Sequence, residues 1–352
     1  MDRQQRSPAP PAISAVGLRK SFGGKAVLGG IDLHVPEGTV FSLLGPNGAG
    51  KTTTVQILST LIPATGGDVR VAGHDVRTEA DRVRAAIGVT GQFSAVDDLL
   101  TGAENLLLMS DLHHLDRREG RRRAADLLEE FVLADVASKM AATYSGGMRR
   151  RLDLAMTLIG RPRIIFLDEP TTGLDPRSRR RVWQIIRDLV AGGVTVFLTT
   201  QYLEEADQLA DRIAVLDRGK LVAEGAPDEL KRLIPGGHIR LRFTDPGELG
   251  AAARALGAGA RDDEALTLQV PSDGSVTSLR AVLDRLAGEQ IEVAALSVHT
   301  PDLDDVFLTL TGHPGAQSDG AHRDGAHRDG AHRDGAHSDG AHSDGADKDR
   351  PR

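Results

Sequence analysis

The feature that most constrains this chain is a glycine-rich stretch, GPNGAGKTT, at residues 45–53. The apolar run Val40–Leu44 precedes it and a helix-forming segment follows it, so the glycines lie at a strand-to-helix turn. The stretch fits the pattern G-x-x-x-x-G-K-[ST] of phosphate-binding loops, in the structural context that this pattern requires. An accidental glycine-rich turn is the alternative, and the flanking strand and helix disfavour it. We therefore expect an α/β domain that binds a nucleoside triphosphate.

Each part of this loop has an expected contact with the triphosphate. Backbone N–H groups of the turn converge on phosphate oxygens, and the helix N-terminus adds the positive end of its dipole. Lys51 is expected to reach the β- and γ-phosphates, Thr52 to bind Mg²⁺ and Thr53 to reach the α-phosphate. The loop residues predicted to bind the nucleotide are Gly45, Pro46, Asn47, Gly48, Ala49, Gly50, Lys51, Thr52 and Thr53.

A second motif, RIIFLDEP at residues 163–170, predicts a buried strand that ends in two acids. Two carboxylates at the end of an apolar strand are unfavourable unless a cation or ligand receives them. Asp168 is expected to hold Mg²⁺, directly or through water, and Glu169 fits a general base that polarises attacking water. The alternative is an acidic N-cap for the following helix, which the phosphate-binding loop in the same chain disfavours.

Alternating strand-like and helix-like segments from about residue 13 to residue 225 predict a parallel sheet that is covered on both faces. The strand candidates are Val40–Leu44, Ile164–Leu167, Val194–Thr199 and Ile213–Leu216. Between about residues 93 and 150 the pattern changes to helices rich in Leu, Glu and Arg, with Thr101 and Glu104 forming a capping box. We interpret this region as a helical lobe inserted into the sheet domain.

A small α+β domain is expected at residues 238–312. The alternation in HIRLRF places Ile239, Leu241 and Phe243 on one face, and LTLQV at residues 266–270 repeats the pattern. A helix at Ser275–Ala287, a strand around Ile291–Val298 and a closing helix at Leu303–Leu310 are predicted to complete the domain. No chemical motif was found in it.

The two ends of the chain are predicted to be disordered, over residues 1–12 and 315–352. The C-terminal end repeats GAHRD or GAHSD every five residues, with many charges and no large apolar residue, and such a repeat cannot repay the entropy of ordering. Its histidines could bind Ni²⁺ or Zn²⁺, whereas a solvated repeat without a metal is the plainer interpretation. These histidines are His322, His327, His332, His337 and His342.

Composition excludes several classes of function. The chain has 352 residues, a formal charge of −7 and no cysteine, so neither disulfides nor thiolate metal sites are possible. The negative charge argues against a nucleic-acid partner. No segment reaches the roughly 18 consecutive apolar residues that span a bilayer, and the start, MDRQQRSPAPPA, has no apolar core of a signal peptide. We do not expect the chain to cross a membrane by itself.

A third motif, YSGGMRRRL at residues 144–152, lies shortly before the acidic strand. Ser145, Gly146 and Gly147 open a helix, whose positive end suits a γ-phosphate. Taken alone, S-G-G is an ordinary turn, but in this position it resembles the LSGGQ signature of ATP-binding cassette (ABC) proteins. That resemblance places the signature against ATP bound to a second copy of the chain. The signature residues are Tyr144, Ser145, Gly146, Gly147 and Met148.

Other residues match the same family. Phe22 lies where ABC proteins stack an aromatic ring on adenine, and Gln92 resembles the glutamine that senses Mg²⁺ and the attacking water. Asp175 in TTGLDP corresponds to the D-loop. The resemblance covers about residues 13–225, within an ATP-binding domain expected at residues 13–235. It implies a P-loop NTPase fold with a parallel sheet core, an antiparallel β subdomain and an inserted helical lobe, and an ATPase that uses Mg²⁺ and works as a homodimer.

More narrowly, three stretches resemble the ATP-binding subunit of daunorubicin-resistance exporters: GQFSAVDDLLTGAENL, LTTQYLEEADQLADRIAVLDRG and TPDLDDVFLTLTG. Members of this branch pair with a separate multi-helix membrane permease and export hydrophobic drugs. The resemblance therefore implies a peripheral protein at the cytoplasmic face of the cell membrane. It also places Phe93, Val96, Leu99 and Leu100 near the permease, although these residues suit a core equally well.

Gln201 departs from the histidine that most ABC ATPases carry at this position, as is typical of the daunorubicin-resistance branch. An amide can donate one hydrogen bond to a phosphate oxygen and accept another, so a positioning role is retained. It cannot carry a proton near neutral pH, as an imidazole can. Glu169 and Gln201 are therefore the expected catalytic residues. The alternative for Gln201 is a buried amide that caps the next helix.

Some interpretations remain open at this stage. The arginine runs Arg121–Arg123 and Arg149–Arg151 are expected to form solvated faces, although the second could meet phosphate or the permease. An ABC ATPase that protects its host from antibiotic without transport is the alternative function. An ABC protein acting on ribosomes or DNA is disfavoured, because one cassette and no sustained heptad run are found.

Overall fold

The computed structural model describes residues 11–91, 94–234, 237–257 and 259–312. The segments predicted to be disordered lie outside these ranges, apart from residues 11 and 12, and so do Gln92 and Phe93. Within these ranges, no helix combines the length and the apolar character that a membrane span needs.

Two sheets and the helices around them make up the chain up to Arg232. The strands are β1 (Ile13–Phe22), β2 (Lys25–Val35), β3 (Val40–Leu44), β4 (Gly66–Val71), β5 (His74–Asp75), β6 (Ile87–Thr90), β7 (Ile164–Asp168), β8 (Thr195–Thr200), β9 (Arg212–Asp217) and β10 (Lys220–Gly225). The helices are α1 (Lys51–Leu58), α2 (Ala80–Ala86), α3 (Gly102–Leu112), α4 (Arg117–Glu130), α5 (Gly146–Leu158), α6 (Pro176–Ala191), α7 (Leu203–Leu209) and α8 (Pro227–Arg232).

The larger sheet has the strand order β10-β9-β3-β8-β7-β6. Its strands pair in parallel from β9 to β6, and β10 is an antiparallel edge. Every residue of β3, β7 and β8 is buried, which confirms the covered parallel sheet that the apolar runs predict. Because β8 lies between β3 and β7, the residues that follow these strands meet at one edge of the sheet. The phosphate-binding loop, the acidic pair and Gln201 all lie there.

The antiparallel subdomain and the helical lobe pack on this sheet. The smaller sheet, of order β2-β1-β4-β5, shares a core with β3 that includes Leu18, Leu33 and Phe41. The lobe, formed by α3, α4 and the start of α5, shares a core with the larger sheet, in which Phe131 lies in one cluster with Leu167 and Val196. Its predicted capping box is confirmed, since Thr101 Oγ1 accepts from the Glu104 N–H at 3.2 Å and Glu104 Oε2 accepts from the Thr101 N–H at 2.8 Å.

A third sheet follows residue 237, with strand order β12-β13-β11-β14. Its elements are β11 (His238–Arg242), α9 (Pro246–Leu256), β12 (Ala260–Asp262), β13 (Thr267–Pro271), α10 (Val276–Gly288), β14 (Ala295–His299) and α11 (Leu303–Thr311). Ile239, Leu241 and Phe243 are buried in one core with residues of α9 and α10, as the alternation predicts.

Helix α11 does not close this small domain, although the sequence predicts that it does. Its residues Leu303, Val306 and Phe307 are buried in a cluster with Leu44, which precedes the phosphate-binding loop, and Leu203, which follows Gln201. The chain thus returns to the first domain after the third sheet. The apolar face of α11 packs against α7, α8 and the edge strand β10 of the larger sheet.

Candidate nucleotide-binding site

The phosphate-binding loop packs closely on strands β2 and β9. Gly50 has φ +114°, and a Cβ there would lie 2.7 Å from Cδ2 of Leu28. A Cβ at Gly45 would lie 2.3 Å from the carbonyl oxygen of Leu216. Gly50 is therefore required by its backbone conformation, and Gly45 by the close approach of the Leu216 carbonyl.

Lys51 is buried beneath this loop. Its Nζ donates to the carbonyl oxygens of Gly45 at 2.8 Å and Pro46 at 3.2 Å, and it lies 3.3 Å from Oε1 of Glu169. Burial lowers the pKa of Lys51, an effect that the charges of Glu169 and Asp168 oppose. The lysine is thus a partly desolvated cation, and a ligand with several negative charges would stabilise it further.

The acids at the end of β7 are held by the neighbouring strand β8. Asp168 Oδ1 accepts from Oγ1 of Thr199 at 2.5 Å, and the Glu169 N–H donates to the carbonyl of Thr199 at 3.1 Å. Glu169 has φ +49°, a left-handed conformation that is uncommon for a residue with a side chain. Its carboxylate lies beside Lys51, so the residue with the unfavourable backbone conformation is the one that forms the ion pair with the lysine.

A cavity of about 330 Å³ lies beside the loop. It is lined by Val27, Asn47, Gly48, Gly50, Lys51, Thr52, Thr53 and Glu169. Asp168 retains a second oxygen, Oδ2, that accepts no hydrogen bond from the part of the chain that the structure describes. This oxygen and the exposed Thr52 hydroxyl are the kind of donors that Mg²⁺ prefers, so the residues present fit that metal.

Phe22 and Gln201 differ in exposure, and neither lines this cavity. Phe22 ends β1 with an exposed ring, and Nζ of Lys20 lies 4.7 Å from its centroid. Gln201 follows β8 and is half-buried. The N-cap of the next helix, α7, is Tyr202, and no side chain caps this helix. The alternative role of Gln201, a buried amide that caps α7, is therefore wrong. The Gln201 side chain makes no hydrogen bond to any residue in the described ranges.

The signature residues form a separate turn that packs against the D-loop. Ser145 is the N-cap of α5, and its Oγ accepts from the Met148 N–H at 3.3 Å. A Cβ at Gly147 would lie 2.3 Å from Oγ of Ser178, which donates to Oδ2 of Asp175 at 2.6 Å. None of the signature residues lines the cavity beside Lys51.

Tyr144 differs from the other signature residues. It is buried in the helical lobe, and its hydroxyl donates to the carbonyl of Val136 at 2.8 Å. A Cβ at Gly102 would lie 2.2 Å from that hydroxyl oxygen, which shows how closely the ring packs. Tyr144 therefore anchors the signature turn to the lobe instead of presenting its side chain to a ligand.

The prediction that both arginine runs form solvated faces is wrong for Arg123, Arg150 and Arg151. Arg150 and Arg151 of α5 donate to backbone carbonyls, Arg150 to Pro170 at 2.8 Å and Arg151 to Phe131 at 2.6 Å. In α4, Arg123 donates to the carbonyl of Ile159 at 2.7 Å. These arginines join separate segments of the domain.

Asp153 and Glu205, both buried beside the site, were not singled out from the sequence. Asp153 pairs with Arg150, and Glu205 accepts from the Oγ1 of Thr171 at 2.8 Å. The sequence pattern that could have indicated them is an acid on the apolar face of each helix, because an unpaired carboxylate there would be costly.

Comparison with known proteins agrees with this geometry. Residues 28–172 match the family model described as ABC transporter. The daunorubicin resistance ATP-binding protein DrrA2 of Streptomyces coeruleorubidus is 50% identical over 307 residues, which cover 86% of this chain and 95% of that protein. The doxorubicin resistance ATP-binding protein DrrA of Mycobacterium tuberculosis is 44% identical over 314 residues, 86% of this chain and 94% of that protein.

A solved structure of a dimeric ATP-binding cassette in a post-hydrolysis state, bound to ADP and Pi, is also similar. Its TM-score is 0.56 at 27% identity, over 61% of this chain and 98% of that one.

Proposed function

The chain belongs to the ABC transporter family as an ATP-binding subunit, and from this premise we propose that its ATP hydrolysis powers the export of hydrophobic drugs through a separate membrane permease. The observation that carries the proposal is the extent of the likeness to drug-resistance proteins. It covers 95% of the Streptomyces protein, and thus reaches beyond the ATPase domain into the small C-terminal domain. We infer that the chain works as a peripheral protein at the cytoplasmic face of the cell membrane.

ATP is proposed to occupy the cavity beside Lys51, with its adenine on Phe22. The γ-phosphate would replace Glu169 as the charged partner of Lys51, and the released carboxylate would accept a proton from the attacking water. Mg²⁺ held by Thr52 and Asp168 would neutralise charge that develops on the phosphates. Gln201 would orient the water by hydrogen bonding. Gln92, which lies outside the described residues, remains a predicted contact of Mg²⁺ and water.

Two copies are proposed to close head to tail on two nucleotides. Ser145, Gly146, Gly147 and Met148 of one copy would face the γ-phosphate bound by the other, which agrees with their absence from the cavity lining of their own chain. ATP would hold the dimer closed through charge-assisted hydrogen bonds, and hydrolysis would release it. Asp175, packed beside the signature turn, would lie at the same interface.

The apolar segment after residue 93 is the proposed contact with the permease. Leu99 is 78% exposed, whereas Val96 packs against the core that the helical lobe shares with the larger sheet. Leu99 is therefore the better candidate for a contact with a second protein. Phe93 lies outside the described residues.

Reconstitution with the permease tests this function. The chain and its membrane subunit would be purified together, and ATPase activity measured with and without a hydrophobic drug such as daunorubicin. We expect drug to stimulate hydrolysis only when the membrane subunit is present. Equal stimulation of the isolated chain would favour the alternative, an ABC ATPase that protects its host without transport.

A further inference from the structure

We infer that Arg150 and Glu205 are positioning residues for hydrolysis, because they hold the turn Pro170–Thr171 that follows Glu169 from two sides. The inference rests on the proposed role of Glu169 as the general base. Arg150 belongs to α5, the helix that the signature turn opens, and Glu205 belongs to α7, the helix that follows Gln201.

Arg150 reaches three acceptors at once. Its Nε donates to the Pro170 carbonyl at 2.8 Å, and its Nη1 donates to the Gly91 carbonyl at 3.1 Å and to Asp153 Oδ2 at 3.2 Å. The side chain is 11% exposed. A planar guanidinium can bind such separate acceptors simultaneously, and a lysine ammonium of similar length cannot reproduce this geometry.

Asp153, the partner of Arg150, also binds the segment that follows residues 92–93. Its Oδ1 accepts from the Ala95 N–H at 3.1 Å, and its side chain is 3% exposed. The pair Arg150–Asp153 therefore binds the carbonyl of Gly91 and the amide of Ala95, one on each side of residues 92–93. Through this pair the signature helix is joined both to the flanks of Gln92 and to the turn after Glu169.

Glu205 holds the same turn from the other side. Its Oε1 accepts from Thr171 Oγ1 at 2.8 Å and from Trp183 Nε1 at 3.1 Å, and the residue is fully buried. Trp183 lies on α6, the helix that Asp175 caps. Glu205 thus joins the helix after Gln201, the turn after Glu169 and the helix after the D-loop.

Stability alone is a weak reason for such buried charges. Replacing a buried ion pair by well-packed apolar residues is often neutral or stabilising, because desolvation offsets the attraction. Arg150 and Asp153 bind backbone groups on both sides of Gln92 and directly after Glu169, and Glu205 binds Thr171, two residues after Glu169. Hydrolysis requires these groups to be aligned, and a displacement of about 1 Å can lower the rate on the order of 100-fold.

The test separates positioning from folding by measuring kcat, the affinity for ATP and thermal stability in the same variants. For Arg150→Lys, Arg150→Met and Glu205→Leu we expect kcat to fall by about tenfold or more, while ATP affinity changes by less than about threefold. Glu205→Gln keeps an acceptor for Thr171 and Trp183, and we expect it to retain kcat within about threefold.

Arg151→Met is the matched control. Arg151 is the next residue of α5, and it donates to the carbonyls of Phe131 and Val132 in the helical lobe instead of the turn. Its replacement is expected to lower the melting temperature and leave kcat per folded molecule unchanged. A Glu205→Gln protein as slow as Glu205→Leu would contradict the hydrogen-bonding role assigned to Glu205.

Failure of this inference is distinguishable from failure of the proposed function. If the Glu169→Gln protein hydrolysed ATP as the parent does, the proposed base would be wrong. If Glu169→Gln were inactive while folded Arg150→Met and Glu205→Leu proteins kept the parent kcat, only the positioning inference would be overturned.

Discussion

Nζ of Lys51 lies 3.3 Å from Oε1 of Glu169, so the cation that is proposed to bind ATP and the acid that is proposed to activate water neutralise each other. The two side chains are only 4% and 9% exposed, so each needs a partner of opposite charge. A γ-phosphate that takes over Lys51 would leave the Glu169 carboxylate without its cation. ATP binding and the release of the base would then be one event.

Replacement of Glu169 by glutamine separates ATP binding from hydrolysis. The amide retains the size of the side chain but cannot accept the proton, so we expect turnover to fall by about 100-fold or more while ATP still binds. Phosphate release and equilibrium ATP binding measure the two effects. Glu37→Gln, at an exposed glutamate paired with Arg163, is the control and should hydrolyse normally. Sustained hydrolysis by Glu169→Gln would exclude the proposed base.

Substitutions at Gln201 test whether the role of this residue is positional. Gln201→His offers hydrogen bonds in a similar place and is expected to keep ATPase activity, whereas Gln201→Ala offers none and is expected to lower kcat by about tenfold or more. Steady-state kinetics of the two variants decide the matter. Full activity of the alanine variant would remove Gln201 from the mechanism.

The buried carboxyl of Glu205 should make the stability of the protein depend on pH. Burial raises its pKa above the ordinary 4.5, while hydrogen bonds from Thr171 and Trp183 and the charge of Arg179 oppose the rise. A raised folded-state pKa means that the neutral form is favoured by folding. This stabilisation is fully present below 4.5 and is lost as the pH rises through the raised value.

Glu205→Gln lacks this titration. We therefore expect its free energy of unfolding to increase, relative to the parent protein, as the pH rises above the ordinary glutamate value. Urea unfolding of both proteins at a series of pH values measures the difference. A difference that stays constant with pH would contradict a raised pKa.

The packing of α11 predicts that this helix stabilises the ATPase domain. Phe307 is 4% exposed and shares a cluster with Leu44 and Leu203, so Phe307→Ala is expected to lower the free energy of unfolding by about 3–5 kcal/mol. Leu308 is 44% exposed, and Leu308→Ala should change the free energy of unfolding by no more than about 0.5 kcal/mol. Denaturant unfolding compares the two, and equal losses would argue against this packing.

The sequence predicts the elements of this site better than the contacts between them. Strands β3, β7 and β8 are recognisable because strands covered on both faces are continuously apolar, and the loop is recognisable because Gly45, Gly50 and Lys51 have fixed spacing. The partners of Arg150 are carbonyls far along the chain, and no local pattern encodes such contacts. Likewise, the periodicity of α11 predicts an apolar face but not which domain the face covers.

The proposed head-to-tail dimer is the central claim, and Ser145 provides its sharpest variant. Ser145→Asp keeps a good N-cap for α5, so the helix should stay intact, but it places a negative charge where the γ-phosphate of the other copy would bind. Ser275→Asp, at the N-cap of α10 in the small domain, makes the same change away from the nucleotide.

Sedimentation velocity of the Glu169→Gln protein, with and without MgATP, is the most direct measurement. We predict a monomer without nucleotide and a dimer with MgATP, retained when Ser275→Asp is added and lost when Ser145→Asp is added. A protein that stays monomeric at every concentration of protein and MgATP, or a Ser145→Asp variant that still dimerises with ATP, would contradict the account.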